Sequence, residues 1–269
     1  MFELIFKHNA QRLLKIASER NKTMDSNDSV VLVTGGNRGL GKALVQAFLD
    51  AGARKIYVGS RTPIETSDPH LQPIKLDITN AQDVAAAAHT CQDVTILMNN
   101  AGVAAPTSLL TAPLTDEARQ LMETNYFGTL AMVRAFAPIL GKNGKGTIVN
   151  MLSVASWFAT PIGRSYSASK SAALSLTQGI RIELRSQGTL VIAVHAGYID
   201  TDMAATIDAP KTSPEEVAAS IIEGIRNNQE EVLADQSSQE IKAALASNPQ
   251  IFYQQLQADW DNALQQERI

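Results

Sequence analysis

Val30-Val31-Leu32-Val33-Thr34-Gly35-Gly36-Asn37-Arg38-Gly39-Leu40-Gly41 is the stretch on which the fold turns. Four apolar, mostly β-branched residues read as a buried parallel strand, and the glycines that follow at once require a tight turn. A helix is predicted over 42–51, ended by Gly52. Glycines between a strand and a helix let the backbone approach a pyrophosphate, whose charge the helix N-terminus stabilises. The spacing is not G-x-G-x-x-G, and a glycine-rich turn alone is only a tight connection. The flanking strand and helix are what give it weight.

Outward from this turn the same rhythm continues. Strands are predicted at 55–59, 73–76, 94–98, within 146–152, at 190–196 and at 231–234, and helices at 81–90, 115–140, 166–187 and 213–228. Strands alternating with helices over this length predict an α/β, doubly wound Rossmann fold: a central parallel sheet of about seven strands, helices on both faces. Residues 29–235 form this unit, 1–28 an N-terminal extension and 236–269 a helical tail. In the tail, two helical patterns meet at Asn248-Pro249, and Phe252, Tyr253, Leu256 and Trp260 share a face that packs on the domain or at a subunit contact.

Composition narrows the function classes. The 269 residues are 45% hydrophobic, enough for a full core and against a disordered or collagen-like chain. A net charge of -4 removes the broad basic surface of a nucleic-acid binder. The single cysteine, Cys91, forms no internal disulfide and suits a reducing, cytoplasmic compartment. No apolar run reaches the roughly 18 residues of a membrane span. Near the start, Phe2, Ile5, Phe6, Leu13, Leu14 and Ile16 keep a helix-like period among Lys7, Arg12, Lys15, Arg20 and Lys22. This segment reads as a helix packed on the domain, as a translational extension before Met24, or as a membrane-surface helix. It carries no site motif, so it is expected to be dispensable for catalysis.

The residue after strand two tests the adenosine ribose: an acid suits a free 2′-hydroxyl, a cation a 2′-phosphate. Here Gly59-Ser60-Arg61-Thr62 holds no carboxylate. Arg61 and Arg38 can clamp a phosphate, which favours NADP(H) over NAD(H). Asp77 is placed to accept from adenine or to cap the next turn. Further on stand Asn99-Asn100-Ala101-Gly102, Asn125, Ser153 and Tyr166-Ser167-Ala168-Ser169-Lys170. Tyr166 and Lys170 share a helical face, and a nearby cation stabilises a phenolate whose reference pKa is about 10. Ser153 can donate to the developing oxyanion of a carbonyl substrate. No metal-ligand cluster is read.

Taken together, the chain resembles the short-chain dehydrogenase/reductase family over 30–234, and within it the NADPH-dependent carbonyl reductases. Its Thr-Gly-x-x-x-Gly-x-Gly motif matches Thr34 to Gly41, its Asn-Asn-Ala-Gly motif Asn99 to Gly102, and its catalytic set Asn125, Ser153, Tyr166 and Lys170. The resemblance implies that Tyr166 is the general acid in reduction and that Ser153 orients the carbonyl. It further implies that Lys170 binds the nicotinamide ribose and lowers the Tyr pKa, and that Asn125 holds a water in the proton relay. Cofactor contacts are expected from Thr34, Gly35, Asn37, Arg38, Gly39, Leu40, Gly41, Arg61, Asp77, Asn100, Ala101, Gly102, Tyr166, Lys170, Gly197 and Thr201. Assembly as a homodimer or homotetramer through the helices at 115–140 and 166–187 is implied in the same way.

One departure is His195-Ala196-Gly197, where the family usually has Pro-Gly before its nicotinamide contact. The missing proline predicts modestly looser cofactor binding. His195 reads as a strand-end residue supporting the turn, because Tyr166 already serves as the acid. Substrate-lining candidates are Val103, Val154, Trp157, Phe158, Tyr198 and Met203, which suit a small, mostly apolar aldehyde or ketone under a short lid. The expected activity is hydride transfer between NADP(H) and such a carbonyl or alcohol. The alternative is an NADPH-binding sensor or scaffold without turnover.

Overall fold

The computed structural model describes residues 28–105, 116–144, 146–161 and 164–265. The readings of the N-terminal segment 1–27, and the first residue of the helix expected at 115–140, fall outside them. Seven strands, β1 (Val30–Thr34), β2 (Lys55–Ser60), β3 (Leu71–Lys75), β4 (Ile96–Asn99), β5 (Thr147–Met151), β6 (Leu190–His195) and β7 (Glu231–Leu233), form one sheet in the order β3-β2-β1-β4-β5-β6-β7. Every pairing is parallel. The order reverses between β1 and β4, so the chain leaves the two strands in opposite directions there and opens a crevice at their carboxyl ends.

Burial follows from two covered faces. All residues of β1 and β6 are buried, as strands with helices on both sides must be. Alternate side chains of β1 enter different cores. Val31 and Val33 pack with Leu44 and Phe48 of α1 (Gly39–Asp50). Val217, Ile221 and Ile225 of α6 (Pro214–Arg226) join them. Val30 and Leu32 face Met132, Phe136 and Leu140 of α4 (Thr129–Asn143). On that same face lie α2 (Ala81–Thr90), through Val84 and Ala87, and α5 (Arg164–Glu183), through Ile180.

Two departures from the sequence expectation have clear causes. β3 begins at Leu71 rather than at 73, with Pro73 inside it. Because β3 is the sheet edge, a residue without an N–H is tolerated there. The helix expected at 115–140 is instead α3 (Asp116–Met122), a π-helical segment (Glu123–Gly128) and α4. Hydrophobic periodicity does not reveal the wider turn, which places Asn125 inward.

The tail forms α7 (Gln236–Ser247) and α8 (Pro249–Gln265). Asp235 caps α7 through a box with Ser238, and α7 rests against β7 and the short 3₁₀ turn Val154–Ser156. Phe252 meets Phe158 edge to face at 5.1 Å, whereas Tyr253 on the adjoining face is exposed. Among the described residues no helix is long and apolar enough to cross a membrane.

The contact between α6 and β7 leaves no room for a methyl group at Gly224, where a Cβ would lie 2.3 Å from Val232 Cγ2. Gly224→Ala is therefore expected to lower stability by about 1–3 kcal/mol, read as a reduced urea midpoint with an unchanged slope.

Candidate active site

The site grows from the reversal point. Thr34 ends β1, and its Oγ1 accepts from the backbone N–H groups of Asn100 and Ala101, both at 3.0 Å. Asn100 Nδ2 donates in return to the Thr34 carbonyl at 2.9 Å and the Gly35 carbonyl at 3.3 Å. These bonds hold the glycine loop against the end of β4. Gly35 takes φ +66°, a conformation that costs an L-residue, and a Cβ on Gly41 would lie 2.0 Å from the Gly35 carbonyl oxygen. Arg38, the N-cap of α1, makes no side-chain capping bond, and no acid lies in the first turn. An uncapped helix start on a glycine cradle is the donor arrangement that a pyrophosphate fits.

Around this loop, Asn37 is exposed and Leu40 buried. Thr201 approaches Gly39, where a Cβ would sit 3.3 Å from Thr201 Cγ2. Arg38 faces Asp202 across the cleft mouth at 3.8 Å, both side chains largely exposed. Arg61 is exposed, and its charge helps lower the Asp77 carboxyl below its usual range, after two hydrogen bonds from Thr79. Asp77 Oδ1 thus caps its own turn, accepting from Thr79 N at 2.9 Å and Thr79 Oγ1 at 2.7 Å.

At the opposite end of the crevice, β5, the π segment and α5 bring four side chains together. Lys170 is 6% exposed, and its Nζ donates to the Met151 carbonyl at 2.9 Å and lies 5.7 Å from the Tyr166 ring centroid. Burial pulls the Lys170 ammonium down to about 8. Burial pushes the Tyr166 phenol up to about 12; a hydrogen bond with Ser153 works against that and the nearby Tyr198 adds to it. Asn125 Oδ1 accepts from Val103 N at 2.9 Å, and its Nδ2 donates to Val103 O and Ser169 Oγ, each at 2.9 Å. Gly102 lies between Asn125 and Lys170: a Cβ there would be 3.2 Å from Asn125 Oδ1 and 3.7 Å from Lys170 Nζ.

The substrate candidates separate. Val154 is buried, Val103 is half-buried, and Tyr198 and Met203 are about half exposed. The aromatic pair is engaged by neighbours other than a ligand. Trp157 stacks on His195 at 4.1 Å with Lys242 of α7 over its ring, and Phe158 meets Phe252 of α8. Sequence reading missed a further contact: Gly197 N donates to Asp235 Oδ2 at 2.7 Å, so the residue that caps α7 also holds the backbone after β6. An aspartate starting a helical pattern was the only available signal.

The sequence model of the family described as short chain dehydrogenase matches residues 29–212, from the residue before β1 through the strap, residues 197–212, that follows β6. The chain belongs to the short-chain dehydrogenase family. A short chain dehydrogenase of Burkholderia cenocepacia, solved in complex with NADP, is 41% identical, superposes with a TM-score of 0.83 and is covered over 99% of its length by 87% of this chain. An NADPH-bound carbonyl reductase from chicken fatty liver is 25% identical with a TM-score of 0.69, over 76% of this chain and 93% of that one. Among curated relatives, the Aspergillus terreus short chain dehydrogenase tazN is 35% identical over 190 residues, 64% of this chain but 41% of that protein's length. Dehydrogenase/reductase SDR family member 7B of Xenopus tropicalis is 30% identical over 77% of each chain.

Within this dehydrogenase, Asn125 is a test of geometry. Replacing it by Leu leaves the Val103 N–H and carbonyl without their partner, at a cost of about 1–3 kcal/mol. A lower thermal midpoint for Asn125→Leu than for Asn125→Gln checks it, with equal midpoints speaking against it.

Proposed function

We propose that this short-chain dehydrogenase reduces a small, mostly apolar aldehyde or ketone with NADPH, Tyr166 acting as the general acid. The observation that carries the reading is the Tyr166 phenol, hydrogen-bonded to Ser153 one helical turn from the buried Lys170 ammonium, at the carboxyl ends of the strands. Bound NADPH would supply the hydride. The protein's part is to orient the carbonyl and to deliver a proton.

A phenol held near 12 is protonated at neutral pH, which is the state a proton donor needs. Ser153 Oγ beside it can share the carbonyl oxygen and stabilise the charge that grows there. Lys170, lowered to about 8, still carries much of its charge at neutral pH and favours the phenolate once the proton has left. Asn125 spends its side chain on Val103 and Ser169. Its share in the proton relay therefore falls to its backbone carbonyl, which accepts from Thr129 Oγ1 at 3.0 Å and would take a water on its second lone pair, or to its clamping of the loop.

For the cofactor, Thr34, Gly35, Asn37, Gly39, Leu40 and Gly41 would hold the pyrophosphate, and Asn100, Ala101, Gly102, Gly197 and Thr201 the rest of the crevice. Arg61 and Arg38 would meet a 2′-phosphate, and the exposed Arg38–Asp202 pair is weak enough to yield to it. The NADP in the Burkholderia structure and the NADPH in the chicken reductase support this preference. With Trp157 and Phe158 engaged by the tail, Val103, Val154, Tyr198 and Met203 are left to line a compact apolar pocket. Assembly as a homodimer or homotetramer belongs to the same reading: Phe127 is 49% and Ile182 78% exposed on the helices expected to meet.

A screen of aldehydes and ketones followed at the NADPH absorbance tests the activity. Tyr166→Phe should then lower turnover by at least about 100-fold with little change in NADPH affinity. An unchanged hydride-transfer rate in that variant refutes the assigned acid. Arg61→Asp should move preference toward NADH, and titrations of the unsubstituted protein showing equal affinity for both cofactors would count against the clamp.

A further inference from the structure

His195 is fully buried at the end of β6 and carries the puzzle of this molecule. Its Nδ1 lies 3.1 Å from the Ser153 carbonyl oxygen, which can only accept, and 3.5 Å from Ser156 Oγ, whose hydroxyl already donates to that same carbonyl, so Nδ1 carries the proton. Burial, foremost, pulls the imidazole down to about 4, so the ring is neutral at pH 7 and its Nε2 is a bare acceptor. That Nε2 has no hydrogen-bond partner and faces Glu231 Oε1 at 3.7 Å. A buried nitrogen without a donor opposite a carboxylate costs free energy.

The surroundings show a seat built for one orientation. Trp157 stacks on the ring at 4.1 Å and 27°. Lys242 of α7 covers Trp157 and pairs with Glu231. On the far side, the ladder bonds Leu152 N to Val194 O and Val154 N to Ala196 O register the chain on β6, on either side of Ser153. The carbonyl of Ser153 takes no part in these bonds. It accepts from Ser156 N and Ser156 Oγ within its own turn and from His195 Nδ1. Of these three donors, only His195 belongs to another element.

We propose that His195 is a positioning residue for Ser153, its Nδ1–H fixing the Ser153 carbonyl against β6 and α7 fixing the ring through Trp157, Lys242 and Glu231. The inference rests on the carbonyl-reductase reading, since it concerns how the Ser153 hydroxyl is aimed beside Tyr166. It gives His195 a role beyond support of the turn. It also gives α7 a part in positioning the site without any contact with the substrate.

Three variants of the full-length protein separate position from stability. His195→Asn returns an amide donor near the Nδ1 position, His195→Gln sets the donor too far out, and His195→Leu keeps the bulk with no donor. With the best carbonyl substrate of the screen, kcat should fall at least tenfold in His195→Leu and His195→Gln, and recover to within about threefold of the parent in His195→Asn. NADPH affinity by fluorescence titration should stay within about twofold in all three. Parent-like kcat in His195→Leu overturns the proposal, as do equal losses in Asn and Gln that track their thermal midpoints. Should His195→Leu fail to fold, the Asn and Gln pair decides alone. A parent chain that turns over no carbonyl overturns the functional reading and this inference with it. Loss of rate in Tyr166→Phe with no loss in His195→Leu or His195→Gln overturns the inference alone.

Discussion

The reciprocal bonds between Thr34 and Asn100 and Ala101 tie together the two strands at which the sheet reverses its order. The candidate site lies along the crevice that this tie fixes. A parallel sheet with helices on both faces has no free surface except along its strand ends, and only where neighbouring chains depart in opposite directions does a crevice open. By consuming the Thr34 hydroxyl and the Asn100 backbone N–H on each other, the protein closes the base of that crevice, beside which α1 starts with no side-chain cap.

The second half of the site is organised by buried polar groups instead of by backbone shape. Asn99 Nδ2 donates to Asn150 Oδ1 at 2.8 Å, and Asn150 Nδ2 to Thr177 Oγ1 at 2.9 Å, so β4, β5 and α5 are cross-linked beneath Lys170. Asn99 Oδ1 is left without a partner, but the two bonds through Asn150 still specify one register of α5 against the sheet. That register puts Tyr166 and Lys170 on the crevice side. Lys170 is buried there with the Met151 carbonyl for a partner, and that burial is what lowers its ammonium to about 8.

How much of this was legible in the sequence follows from the range of each interaction. The buried strand and glycine turn at Val30 to Gly41 are local patterns, and they carried the fold. Tyr166 and Lys170 are a helical pair, readable from spacing. Asn125 was legible as a residue, but the π segment that aims it was not, because a single wide turn leaves the apolar period almost intact. The aromatic residues Trp157 and Phe158 had no sequence signal to distinguish a ligand from the tail. Their partners His195, Lys242 and Phe252 lie far along the chain, and only folding brings them together. Gly197 and Asp235 are a like case, 38 residues apart.

The strap after β6 has a further consequence. Its ends are stitched together, Asp200 N to Thr212 O at 2.9 Å and Thr212 N to Tyr198 O at 2.9 Å, while Tyr198 and Met203 stand out from it. The stitch separates the length of the intervening segment from the rest of the architecture. Closing a loop of twice the length costs only about 0.6 kcal/mol more, so residues can be added between the 3₁₀ turn Asp202–Ala204 and Thr212 without disturbing β6 or α6. Insertion there can thus change what stands over the crevice while the phenol and the ammonium stay where they are, and on the proposed reading the same scaffold can diversify in substrate without renegotiating its chemistry.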